Sequence, residues 1–253
     1  MTAIYSDLKN KRVFITGGGS GIGASIVEHF CEQDSEVYFV DINVKESKKL
    51  ITKINKKKFK TPTFTECNLL DIKKLQKIIK KIVLTKGTIH SLINNAANDE
   101  RHTTQDVDEK YYENRMAINL KHYFFAAQEV VKGMKKIQSG SIVNLSSVSW
   151  VLGEGDKVIY ETAKSAVIGL TRSFAQEYGK YNIRTNSVVP GSIATERQIK
   201  YWLTPKYKKQ ILEKQALKRQ LKPEDVAKLV LFLSSDQSSG CTKQSFVVDA
   251  GIS

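Results

Sequence analysis

The chain has 253 residues, 41% of them apolar, and a formal net charge of +14. This is enough to bury a full core without disulfide or metal support, and no run of about 18 apolar residues offers a membrane span. The N-terminal MTAIYSDLKNKR lacks the apolar core of a secretory signal. Cys31, Cys67 and Cys241 stand far apart, and the four histidines show no ligand spacing. Neither a disulfide framework nor a metal site is therefore expected, and free thiols suit a cytoplasmic location.

Strand-like runs alternate with helical patterns along the whole chain. RVFIT (12–16), EVYFV (36–40), TPTFTE (61–66), HSLIN (90–94), SIVNLS (141–146), IRTNSVV (183–189) and SFVVD (245–249) read as strands. Apolar-periodic segments at 21–33, 71–85, 108–136, 158–181 and 223–234 lie between them. The alternation predicts an α/β fold, a doubly wound parallel sheet of about seven strands flanked by helices, in one domain over 1–253. Lysines crowd KINKKKFK (53–60) and KKLQKIIKK (73–81). Nucleic-acid binding is one reading of that charge. A solvated helix face is the favoured one, because Leu75, Ile78, Ile79 and Ile82 recur at helical spacing and no aromatic residues interleave. The longest irregular stretch, 191–222, follows the sixth strand, where a substrate lid would lie.

The first strand–helix turn reads TGGGSGIG (16–23), which fits T-G-x-x-x-G-x-G rather than G-x-G-x-x-G. At this place in an open α/β sheet, Gly17 serves a tight turn. Gly21 allows close approach of a pyrophosphate, and Gly23 allows close helix–sheet packing. Asp41 ends the second strand, where a carboxylate accepts from the ribose hydroxyls and repels a 2′-phosphate. Ser20 supplies no cation, so NAD is favoured over NADP, although Lys45 is near. The alternative for Asp41 is a cap for the next helix.

Tyr160 and Lys164 are four residues apart in YETAKSAVIGLTRSF, on one helix face. An ammonium there, with a positive nicotinamide ring, would stabilise a phenolate and make the tyrosine a base near neutral pH. Spacing alone is weak, since Tyr5 and Lys9 match it too. Ser147 lies just past the fifth strand, where its hydroxyl can meet the same substrate oxygen. Asn119 is a polar residue between the apolar Ile118 and Leu120 of a long helix.

Taken together, TGGGSGIG, NNAA (94–97), Asn119 in MAINL, Ser147, YETAK (160–164) and PGSIAT (190–195) resemble the short-chain dehydrogenases/reductases, over essentially the whole chain. The resemblance implies a Rossmann-type fold and NAD-dependent oxidoreduction. It makes Tyr160 the acid/base, and Lys164 both a ribose ligand and a modulator of Tyr160. Ser147 positions the substrate oxygen, and Asn119 helps hold a relay water. Further cofactor contacts fall at Gly17, Ser20, Gly21, Ile22, Gly23, Asp41, Asn68, Leu69, Asn95, Ala96, Pro190, Gly191, Ile193 and Thr195. Asn68 replaces a usual Asp and Ala97 a commoner glycine, and Asn68 can still accept a hydrogen bond. A homotetramer built on helices 108–136 and 160–181 is also implied.

Within that family, NNAANDERHT (94–103), SSVSW (146–150) and PGSIATERQ (190–198) resemble bacterial aldose 1-dehydrogenases, which act on sugars such as D-xylose, L-arabinose, L-rhamnose and L-fucose. Asn98, Asp99, Arg101, His102, Ser147, Ser149, Tyr160 and Arg197 would then meet the sugar, with Trp150 against its C–H face. The bland reading makes residues 99–102 a solvated loop, and Trp150 and Trp202 lid or core aromatics. The expected reaction carries a hydride from C1 of the aldose to NAD and yields a lactone. Alternatives are a 3-oxoacyl or other carbonyl reductase, a nucleotide sensor and a nucleic-acid-binding protein.

Overall fold

The computed structural model describes residues 3–253. Strands β1 (Arg12–Thr16), β2 (Glu36–Asp41), β3 (Thr63–Glu66), β4 (Ser91–Asn94), β5 (Gly140–Leu145), β6 (Ile183–Pro190) and β7 (Ser245–Val248) form one sheet. Its order is β3-β2-β1-β4-β5-β6-β7, and every neighbouring pair is parallel. The central strands β1, β2, β4 and β5 are largely buried because helices cover both faces. Val13 and Ile15 of β1 enter the core built with α1 (Gly21–Glu32) and α10 (Pro223–Ser234), where Ile26, Phe30 and Leu231 pack. Phe14 points to the opposite face, toward Leu75 and Ile79 of α3 (Ile72–Lys86) and Val130 of α5 (His122–Ile137).

Two departures from the predicted elements have local causes. The third strand begins at Thr63 rather than 61, because Pro62 has no N–H for the ladder and sits beside an edge strand. Helix α2 (Val44–Lys56) occupies a stretch partly read as a lysine run. Asn43 accepts from the Glu46 N–H to cap it, Leu50 and Ile54 anchor it, and its lysines face outward.

The long helix expected over 108–136 is three pieces: α4 (Glu109–Met116), a π turn at Ala117–Lys121, and α5. Helices α6 (Ser149–Leu152) and α7 (Val158–Tyr178) follow β5. Two short helices, α8 (Glu196–Tyr201) and α9 (Pro205–Lys214), occupy the 191–222 segment. No helix among the described residues is long and apolar enough to cross a membrane. The chain leaves β1 toward β2 on one side and reaches β4 on the other. A crevice therefore opens at the C-terminal ends of β1 and β4, the usual ligand position in such a sheet.

Two histidines are held neutral by this packing. His122 is fully buried with Nε2 3.1 Å from the Ala96 carbonyl, and burial pushes its pKa down to about 3. His90 accepts the Arg12 N–H, and burial, reinforced by Lys11 and Arg12, pushes it down to about 4. Both native values lie below the unfolded 6.5. The unfolded chain therefore takes up protons first, and stability present above about pH 6.5 is lost as pH falls toward 4. At pH 5 His122 alone should account for roughly 2 kcal/mol. The urea midpoint should be lower at pH 5 than at pH 7, and His122→Gln should flatten that difference. Equal midpoints for the wild type would contradict this assignment.

Candidate active site

The crevice is a cleft of about 700 Å³. The glycine turn forms one wall. Gly17 and Gly21 have φ of 67° and 53°, a region that disfavours other residues. A Cβ at Gly23 would stand 1.9 Å from the Gly17 carbonyl oxygen, which also accepts from Asn95 Nδ2 at 2.9 Å. Ser20 begins α1 without a side-chain cap, so the first N–H groups of the helix remain available to an anion. Asp41 does not cap α2. Its Oδ2 accepts from the Gly19 N–H and its Oδ1 from the Asn43 N–H, both at 2.8 Å, while Asn43 caps the helix.

Ser20, Ile22, Asp41, Asn68, Leu69, Asn95 and Ala96 line the same cleft, as do Pro190, Gly191, Ile193 and Thr195. Gly21 is set back, but a Cβ there would come within 3.2 Å of Thr195 Cγ2. A dinucleotide fits this donor set: a glycine cradle, an uncapped helix N-terminus and a carboxylate at the end of β2.

Deeper in the cleft, Lys164 is almost wholly buried. Its Nζ donates to Tyr123 Oη at 2.8 Å and to the Leu145 carbonyl at 2.7 Å, and lies 5.6 Å from the Tyr160 ring centre. Burial pushes the ammonium pKa down to about 7, and the Asp99 carboxylate works against that. Burial also pushes the Tyr160 phenol above its usual range, Asp99 adds to the rise, and a hydrogen bond from Ser147 opposes it. The sequence led to an ammonium that keeps Tyr160 ionised with help from a positive nicotinamide ring; without that ring, burial disfavours both the phenolate and the ammonium.

Ser147 Oγ is 2.9 Å from Ser149 Oγ and accepts the Ser149 N–H at 3.2 Å. Asn119 sits in the π turn, a distortion that often marks functional sites. Both ends of its amide engage the Asn98 backbone: Oδ1 accepts the N–H at 2.8 Å and Nδ2 donates to the carbonyl at 3.0 Å. Its side chain thus clamps the loop after β4.

On the substrate side, Asn98, Asp99, Arg101, Ser147, Ser149, Tyr160 and Arg197 line the cleft as expected. His102 does not. Its backbone N–H donates to the Asp156 carbonyl at 2.8 Å, and its ring lies 3.4 Å from both Tyr111 Oη and the Ile159 nitrogen. It therefore braces α4 against the start of α7. Trp150 does not line the cleft either; α6 turns it outward, with 37% of the residue exposed.

Polar residues that sequence reasoning passed over also line it, among them Glu154, Lys157, Gln198 and Tyr207. Tyr207 Oη donates to Glu154 at 3.1 Å, and Lys157 Nζ donates to Glu154 at 2.5 Å and to Asp156 at 3.0 Å. Tyr123 was also missed. Its position in an apolar helical run gave no sign that its hydroxyl meets a buried lysine.

The family model described as "Enoyl-(Acyl carrier protein) reductase" matches residues 17–253. A D-xylose 1-dehydrogenase of Caulobacter vibrioides is 44% identical over 250 residues, covering 99% of this chain and 98% of that protein. A probable galactose dehydrogenase of Rhizobium meliloti is 39% identical over 248 residues, covering 98% and 97%. A crystal structure of a Brucella melitensis 3-oxoacyl-[acyl-carrier protein] reductase with bound NAD superposes with a TM-score of 0.89 at 27% identity, covering 98% of this chain and 93% of that one. With relatives at 39% and 44% identity along nearly its whole length, the chain belongs to the short-chain dehydrogenase/reductase family and is an oxidoreductase of the nicotinamide-cofactor type.

Proposed function

We propose that the protein oxidises the C1 hydroxyl of an aldose, a pentose or 6-deoxyhexose, with NAD to give the lactone. The observation that carries this reading is the set of charged and amide groups around Tyr160: Asp99, Glu154, Lys157, Arg197 and Gln198. A polyol can exchange hydrogen bonds with such groups, whereas an acyl chain offers them none. The two sugar dehydrogenases among the relatives support it. A 3-oxoacyl-[acyl-carrier-protein] reductase of Thermotoga maritima, at 34% identity, keeps carbonyl reduction as the second reading.

In this mechanism the anomeric hydroxyl lies between Ser147 and Tyr160. NAD held by the glycine turn and Asp41 would supply the hydride acceptor for the C1–H bond and a ring charge that favours phenolate at Tyr160. Tyr160 takes the hydroxyl proton as the C1–O double bond forms. Lys164, held by Tyr123 and Leu145, favours the phenolate and would bond the ribose of a bound dinucleotide. Asn119 fixes the Asn98 loop and with it one wall of the sugar site. The lid is the 191–222 segment.

NAD is assigned over NADP from Asp41, whose carboxylate at the cleft edge suits a free 2′-hydroxyl. The unpaired Cys31, Cys67 and Cys241 suit a reducing cytoplasm. Assembly as a homotetramer is supported by exposed apolar surface on α5 and α7, where Phe124 and Val158 are 43% and 40% exposed.

Three tests follow from these assignments. Tyr160→Phe should lower kcat for the best aldose by on the order of 10²-fold or more with little change in NAD affinity, while Lys164→Ala should damage both. Wild-type turnover by Tyr160→Phe would sink the mechanism. Asp41→Ala should weaken NAD binding and relax discrimination against NADP, and a wild-type kcat/KM higher with NADP than with NAD would overturn the role given to Asp41. Light scattering at micromolar concentration should report four copies; a monomer would remove the assembly proposal.

A further inference from the structure

The 191–222 segment is fixed at its ends but not in its middle. Ala194 N–H donates to the Leu221 carbonyl at 2.9 Å, and the N–H groups of Ala216 and Leu217 donate to Gly251 and Ala250. Between these anchors α8 buries no side chain and α9 buries only Ile211. Ile199 and Tyr201 are exposed. Hydrophobic burial therefore holds little of residues 196–210 against the body.

Arg101 supplies what burial does not. Its guanidinium carbon lies 4.4 Å from the Trp202 ring centre and 5.6 Å from that of Tyr207, and Nη1 is 3.0 Å from Asp156. One planar cation thus ties the loop after β4 to the turn before α7 and to both lid helices. Arginine suits the position because its flat face stacks while its edge pairs with a carboxylate. Tyr207 continues the chain of contacts through Glu154. A second tie runs from Asp99 to α8, where its carboxylate accepts from Arg197 Nε at 3.3 Å and from Gln198 Nε2 at 2.5 Å.

We infer that Arg101 is a positioning residue that sets substrate specificity through the lid, rather than by gripping substrate. The clamp keeps Tyr207 and Ile211 at the height that closes the cleft around a monosaccharide-sized molecule. Trp202, half of the clamp, does not itself line the cleft. Ser147, Tyr160 and Lys164 stand on the β5–α7 frame, outside the lid, so loosening the clamp leaves the chemistry in place. The naming of the substrate as a sugar rests on the proposed function; the clamp does not.

The test is a double-mutant cycle on Arg101→Ala and Trp202→Ala, with Arg101→Lys as the conservative variant. Each alanine variant should raise KM for the best aldose about tenfold, equal to about 1.4 kcal/mol, with kcat and NAD affinity nearly unchanged. The double variant should be no worse than either single one. Arg101→Lys should recover part of the loss. Trypsin should nick the exposed Lys200, Lys206, Lys208, Lys209 and Lys214 faster in the alanine variants than in the wild type.

A neutral Trp202→Ala beside an impaired Arg101→Ala would show direct sugar contact and overturn the proposal, as would additive effects or unchanged nicking. If the wild type oxidises no aldose, the sugar reading falls. The trypsin comparison then decides the clamp alone.

Discussion

The site depends on keeping a lysine dry beneath a tyrosine. Lys164 has almost no solvent exposure, and its two partners, the Tyr123 hydroxyl and the Leu145 carbonyl, are neutral. Burying a cation against neutral dipoles disfavours the charge, and burying a phenol disfavours the phenolate. Lys164 and Tyr160 are therefore both drawn toward their neutral forms until further charge enters the cleft. A positively charged nicotinamide ring in the cleft would offset part of that desolvation for Tyr160. Asp99 shifts both groups the same way, favouring the ammonium and opposing the phenolate.

The geometry around that pair is set from outside the catalytic residues. The π turn at Ala117–Lys121 carries Asn119, and Asn119 holds the Asn98 backbone at both its N–H and its carbonyl. The same loop delivers Asp99 and Arg101, which reach the helices above the cleft. Helix register, loop position and lid height are thus linked through a short run of polar contacts. The sheet beneath supplies the rigid part, with apolar side chains packed on both faces of β1, β4 and β5.

The fold was legible because the central strands are buried on both faces and so read as apolar runs between turn signals, while the edge strands β3 and β7 stay half exposed. The glycine turn was legible because strained backbone and close contacts at Gly17 and Gly23 leave no room for another residue. Ser147, Tyr160 and Lys164 could be grouped because two of them share a helix face and the third ends the neighbouring strand. What stayed hidden depends on side-chain direction between remote segments. NDERH placed His102 beside Arg101, yet the loop turns one toward Ile159 and the other toward Trp202. Tyr207 meets Glu154 only because α9 folds back over the turn before α7, and nothing in local spacing encodes that contact. The π turn has no periodic signature in a helix that reads as continuous.

The most direct test of this account is the titration of Tyr160 itself. It can be followed by ultraviolet difference spectroscopy of tyrosinate, comparing wild type with Tyr160→Phe, in the absence and presence of NAD. The account predicts that the Tyr160 phenol of the protein alone ionises above the ordinary tyrosine range, and that saturating NAD moves that ionisation to lower pH. A phenolate at Tyr160 near neutral pH in the protein alone, or a titration that NAD leaves unmoved, would contradict it.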